Sequence, residues 1–155
     1  MTDERRRLEA LSPREAMRLL GSVPLGRIVF TAKALPAIRP ASHLVDGDHV
    51  IVRADSGVAI TSAARAGPGT VVAYEADAID PVDHLGWSVT VVGVAHQVTD
   101  TGAADTFRRT LRHWADSAND QVISISPGMV TGFRLAAGSS PPPGGAALPR
   151  LTERS

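Results

Sequence analysis

Apolar and polar positions alternate along most of this chain, and the period of the alternation changes three times. Between residues 8 and 23, Leu8, Leu11, Ala16, Leu19, Leu20 and Val23 recur near helical spacing. Ser12, then Pro13 and Glu15, reads as a capping box with proline at the first helical position. The segment is expected to be a short helix closing one end of a core, with Arg14 and Arg18 on its solvated side. After Pro24 the period drops to two. GRIVFTA (26–32), AIRPASHLV (37–45) and HVIVRA (49–54) are rich in β-branched residues and predict strands. Asp46-Gly47 between the last two predicts a hairpin, because Asp-Gly tolerates positive φ. Pro40 lies inside the second strand and requires an edge or a bulge there.

Two more strands follow at 70–76 and 86–98, with Gly93 marking a bend or a close backbone approach. Thr99, Asp100 or Thr101 is placed to cap a helix with Ala104, Phe107, Leu111 and Trp114 on one face. QVISIS (121–126) and TGFRLA (131–136) predict two short final strands around Pro127-Gly128. Residues 1–136 thus form one domain. Residues 137–155 turn rich in Pro, Gly and Ser, too poor in apolar groups to bury surface, and are expected to be disordered. Six or seven strands with few helices give a mainly β, antiparallel closed or nearly closed barrel.

Composition narrows the chemistry. The 155 residues carry 16 basic and 16 acidic side chains, so no net field favours nucleic acid or an anionic membrane. Cysteine is absent, which removes disulfides, thiolate nucleophiles and thiolate metal sites. The charged start MTDERRRLEALS has no signal-like apolar core, and no run reaches membrane-spanning length, so a cytoplasmic location is expected. Gly86-Trp87-Ser88-Val89-Thr90 lacks the second glycine of a nucleophile elbow. The five histidines never pair at metal-ligand spacing, and no metal site is expected. Gly67-Pro68-Gly69 runs into a strand instead of opening a helix, so it is not a dinucleotide loop. No side chain announces itself as a catalytic acid, base or nucleophile, as in proteins whose cofactor carries the reaction.

Certain runs are specific. Leu25-Gly26-Arg27 enters the first predicted strand, Glu75-Ala76-Asp77 precedes Ile79-Asp80, and Gly86-Trp87-Ser88-Val89 and Pro127-Gly128-Met129-Val130-Thr131-Gly132 follow. In this order they closely resemble the pyridoxamine 5′-phosphate oxidase-like flavoproteins of the FMN-binding split-barrel type, in their small actinobacterial, nitroimidazole-reductase-like branch. The resemblance covers roughly residues 11–135. It implies a split barrel, a homodimer, and FMN in clefts between the subunits.

By the same resemblance, Arg39, Pro40, Ala41, Ser42 and His43 run beneath the isoalloxazine ring. The phosphate sits at the turn Arg53 to Gly57, where Asp55, Ser56 and Gly57 form the break and backbone N–H groups around Ser56 and Gly57 add a nest for the anion. Trp87 and Ser88 fall where the partner strand nears the cofactor. Relatives that hold FMN tightly usually carry lysine where this chain has Val58-Ala59. A lost charge-assisted contact of about 1.5–3 kcal/mol corresponds to roughly tenfold to a hundredfold in affinity. Arg53 and Arg65 are the nearby substitutes, able to grip phosphate bidentately.

The resemblance implies an FMN-dependent oxidoreductase acting on a small molecule, with no protein catalytic residue. A deazaflavin coenzyme held by Arg108, Arg109 and Arg112 is the first alternative. The second is a non-catalytic flavin carrier or a haem-binding dimer using His43, His84 or His96. Authentic pyridoxamine phosphate oxidation is not expected, since the chain ends in its Pro/Gly-rich tail instead of a longer substrate-binding segment.

Overall fold

A computed structural model describes residues 6–55, 60, 69–111 and 120–138. Their order is β1 (Arg6–Ala10), α1 (Pro13–Leu20), β2 (Leu25–Ala32), β3 (Leu35–Asp46), β4 (His49–Asp55), β5 (Thr70–Ile79), β6 (Gly86–Gln97), α2 (Thr101–Thr110) and β7 (Asp120–Ala137). All seven strands form one antiparallel sheet in the order β1-β7-β4-β3-β2-β5-β6. A further pairing of β6 with β7 closes six of them into a ring, with β1 lying on the far edge of β7. The predicted barrel is therefore present.

Strand alternation fills it. Ile28, Phe30, Val50, Val52, Val72, Tyr74, Val89, Val91, Ile123 and Ile125 point inward and are buried. Ala16, Leu19 and Leu20 of α1 join the same core, so the helix stoppers one end. The Ser12 hydroxyl accepts from the Glu15 N–H at 3.2 Å, as its capping motif requires. Asp100 is the residue that caps α2, accepting from the Ala103 N–H at 2.8 Å. A second, smaller apolar cluster lies outside the ring, where Ile51, Val122 and Leu44 meet Phe107 and Leu111.

Two expectations need correction, and a third resolves between its alternatives. Leu8 belongs to no helix: Arg6–Ala10 is a strand paired with β7, and helix begins only at Pro13. The two final strands are one strand of 18 residues. Pro127 and Gly128 do not end it, because the register with β6 shifts between Val92 and Gly93 and absorbs the extra residue. Of the two alternatives for Pro40, the structure has the edge and not the bulge. The proline sits in regular register opposite Arg27, and the pairing of β3 with β4 begins only at Ser42, so Pro40 lies where β3 has one neighbour. The Asp-Gly hairpin is as expected, with Gly47 at φ 58°. Residues 139–155 lie outside the described residues.

Two glycines mark close approaches. A Cβ on Gly93 would lie 2.1 Å from the Ser126 carbonyl oxygen, and one on Gly26 would lie 2.5 Å from the Glu75 carbonyl oxygen and 2.7 Å from the Tyr74 ring. Gly26→Ala must push β2 away from β5, and overpacking of this kind costs about 1–3 kcal/mol. Urea unfolding should show that loss with an unchanged m value; a variant as stable as the parent would refute the packing derived for this strand pair.

Candidate functional site

The outward residues of the barrel line up in rows across neighbouring strands. One row runs Pro40, Arg27, Glu75, Thr90 and Thr131, each opposite the next on β3, β2, β5, β6 and β7. Beside it run Ile38, Val29, Ala73, Val92 and Met129. On the other side Ser42 stands opposite Leu25, and Asp77 opposite Ser88, which stands opposite Phe133. At about 4.8 Å per strand each five-residue row spans roughly 19 Å. Neither α1 nor α2 covers this face: α1 packs into the barrel end and α2 over Ile51 and Val122. Ile38 is 57% exposed, Met129 62% and Leu25 46%. Among the described residues no helix lies over this face, and its apolar side chains stand exposed.

Its centre is charged. The Arg27 guanidinium donates to Glu75 at 3.1 Å and to Asp77 at 3.5 Å. Burial and the neighbouring Asp77 carboxyl push Glu75 up to about 7, outweighing the opposite pull of Arg27. One cation thus serves two carboxyl groups on adjacent outward positions of β5.

The residues that the family resemblance assigned to the cofactor separate into groups. Alternation points Ala41 and His43 into the barrel, where both are buried, and Ser42 is buried on the outer side. Arg39 and Pro40 remain open, with the Arg39 guanidinium donating to the Ile38 carbonyl at 2.8 Å. Trp87 and Ser88 are half-buried on β6, across β2 and β5 from this group. Ser56, Gly57 and Arg65, and the side chain of Asp55, lie outside the described residues, as do Val58 and Ala59. Of the deazaflavin group, Arg108 faces Asp105 at 3.5 Å, Arg109 approaches the Thr106 hydroxyl at 3.3 Å, and Arg112 is not among the described residues.

His43 belongs to a buried network. Its Nε2 lies 2.7 Å from the Leu20 carbonyl oxygen and its Nδ1 lies 2.6 Å from the Tyr74 hydroxyl. A carbonyl only accepts, so Nε2 carries the proton; in the neutral ring Nδ1 then accepts from Tyr74. The same hydroxyl is 3.0 Å from the Ala41 carbonyl oxygen, and its single proton serves one of the two at a time. Burial pushes the imidazole below its ordinary value and the Tyr74 hydroxyl above its own. The network ties the end of α1 to β3 and β5. Sequence alternation held this signal, since His43 shares its parity with Ala41 and Val45.

Arg53 is 8% exposed and is held on the outer side of β4. It donates through Nε to Asp120 at 2.8 Å and through Nη1 to the carbonyls of Arg108 and Leu111 at 2.8 and 2.6 Å. A cation at the last carbonyls of α2 also meets the negative end of the helix dipole. Arg53 reaches a phosphate only by leaving these partners.

Two outcomes are expected. A histidine held neutral by burial contributes nothing to pH dependence above its ordinary pKa of 6.5, where folded and unfolded chains are both neutral. Below that value the unfolded chain binds the proton first, so stability falls with pH, by at most about 1.4 kcal/mol per unit. Denaturant titrations from pH 7.5 to 5 should show this slope as the difference between the parent and His43→Asn, since Glu75, raised to about 7, adds a slope of opposite sign that both chains share, and His43→Asn should lower stability throughout. Arg53→Leu should cost about 3 kcal/mol by leaving Asp120 without its main partner, measured by the same titration.

The comparisons with known proteins agree with this architecture. The chain is 50% identical over 132 residues, 83% of its length and 86% of the relative's, to the uncharacterized protein Rv0080 of Mycobacterium tuberculosis. A solved FAD-binding protein from Mycobacterium smegmatis is 33% identical, with 83% of this chain and 98% of that one covered and a TM-score of 0.59. An FAD-binding protein from Mesorhizobium loti shares the fold at 19% identity, covering 85% of this chain and 99% of that one at a TM-score of 0.67. The family model described as pyridoxamine 5′-phosphate oxidase matches residues 12–134, and the chain belongs to that family.

Proposed function

We propose that the chain binds a flavin nucleotide on its uncovered β3–β2–β5–β6 face, between two copies of itself, and acts as a flavin-dependent oxidoreductase on a small molecule. The observation that carries this reading is the placement of the assigned residues. Pro40 stands at one side of the face and Ser88 at the other, with the Arg27–Glu75–Asp77 group between them, while their neighbours Arg39 and Trp87 alternate to the other side of their strands at the same two borders. A planar ring laid on such a face stays half in water, and a second copy supplies the missing wall. The exposed Ile38, Leu25 and Met129 are the apolar groups such packing would cover.

The solved relative at 33% identity is an FAD-binding protein, which supports a flavin and leaves the nucleotide tail to experiment. The bound flavin would supply hydride and electron transfer. The residues of this chain bind and orient it: Arg39 offers N–H donors toward an anionic or carbonyl edge, and Pro40 gives a flat apolar floor. Arg27, between two carboxyl groups, keeps polarity beneath the ring without a fixed anion pressed against it. Arg53 braces the strand that leads to the phosphate turn.

Titrating FMN, FAD and a deazaflavin into the purified chain, followed by flavin fluorescence, tests this reading. Saturable quenching by FMN or FAD at tens of micromolar or below is expected, and Arg39→Ala should weaken it about tenfold while Arg53→Lys changes it less. Absence of binding by all three would refute the proposal. Binding of the deazaflavin alone would replace the flavin with that coenzyme.

A further inference from the structure

We infer that the rim of the barrel beside Ser88 holds a separate pocket for a single aromatic ring bearing a hydrogen-bonding group. Leu8, Ile79, Trp87, Phe133 and Leu135 line it, together with His84, Gly86 and Ser88. They come from β1, β5, β6 and β7 and the β5–β6 connection, which meet only because β1 and β6 pair with opposite edges of β7. Leu8, Ile79 and Phe133 are 51%, 50% and 40% exposed, so three large apolar side chains that do not bury themselves converge on one place.

Size sets the ligand class. The cavity is about 170 Å³. An apolar cavity of roughly 150 Å³ accepts benzene, so a single ring fills the lined part of this one. Two aromatic side chains in the wall, Trp87 and Phe133, favour a flat partner that stacks or meets them edge-on.

The connection at the mouth is built rigidly. The Asp80 carboxylate accepts from the N–H groups of Val82 and Asp83 at 2.8 and 3.1 Å, and Asp83 accepts from the Leu85 N–H at 2.8 Å. The Asp80 N–H donates to the Leu85 carbonyl at 2.9 Å, and the His84 N–H donates to the Asp80 carbonyl at 2.9 Å. These bonds hold His84 at φ 62°, in the left-handed region where a residue with a side chain is seldom found. Such strain persists where the surroundings fix it, and here it sets His84 at an otherwise apolar wall. A hydroxyl or carbonyl on the ring would meet His84 or Ser88. Ser88 also stands opposite Asp77 of the outer face, so the pocket adjoins the region proposed for the flavin and shares Trp87 and Ser88 with its border. A one-ring substrate or inhibitor is the ligand this arrangement suits.

The test is ¹⁹F NMR titration of 4-fluorophenol and of fluorobenzene against the full chain, with and without saturating FMN. Both probes should show saturable line broadening, with affinity changed less than twofold by FMN. Leu8→Trp, which fills the cavity from an exposed strand position, should weaken both at least tenfold, while Val82→Trp outside the lining leaves both unchanged. His84→Ala should weaken 4-fluorophenol about fivefold and fluorobenzene less than twofold. Lack of saturable binding, full displacement of the probes by FMN, or unaltered binding to a folded Leu8→Trp would overturn the pocket. An equal effect of His84→Ala on both probes would overturn the role of His84. A chain that fails to bind FMN yet binds the probes would refute the flavin reading and leave this one standing.

Discussion

The long strand β7 is the element on which the rest of the barrel depends. Its first residues pair with β4, its last with β1, and it pairs with β6 from Ile123 to Leu135. Removing the free edges of β4 and β6 in this way turns an open sheet into a ring with an inside and an outside. The geometry is possible because Gly93 has no side chain where the Ser126 carbonyl presses against β6. There the register slips and the strand bends, and Pro127 is accommodated instead of ending the strand.

Closure divides the polar residues into two kinds. Those facing inward must be satisfied by the chain itself, and His43 is, through Leu20 and Tyr74. Those facing outward under α2 do the same: Arg53 ties β4 to Asp120 and to the end of the helix. What remains is the outer face of β3, β2, β5 and β6, where apolar side chains stand in water and one arginine sits between two carboxyl groups. Self-sufficiency of the first two regions is why the proposed flavin site is put on the third.

Much of this was legible in the sequence. Period-two alternation located β2 to β6 within a few residues, Asp46-Gly47 fixed the hairpin, and Ser12 and Asp100 marked helix starts. β1 escaped because RRLEA carries a single large apolar residue, Leu8, whose spacing to Leu11 imitates a helix; an edge strand needs no more. β7 read as two strands because Pro127 and Gly128 carry strong turn signals, and only a partner strand with a bulge cancels them. The inward turn of His43 could be counted from the alternation. The partner of Arg53 could not, since Asp120 is 67 residues away and the contact depends on ring closure. The rows across the outer face, and the rim pocket at their end, likewise require the register of five strands, which no single segment encodes.

Sedimentation equilibrium of the flavin-saturated chain, recorded at the flavin absorbance near 450 nm, tests the placement of the cofactor between two copies most directly. The account predicts that the flavin signal sediments at twice the mass of one chain, and that Ile38→Glu or Met129→Glu returns chain and flavin to their separate free forms together. Flavin travelling tightly bound to a single chain would contradict it.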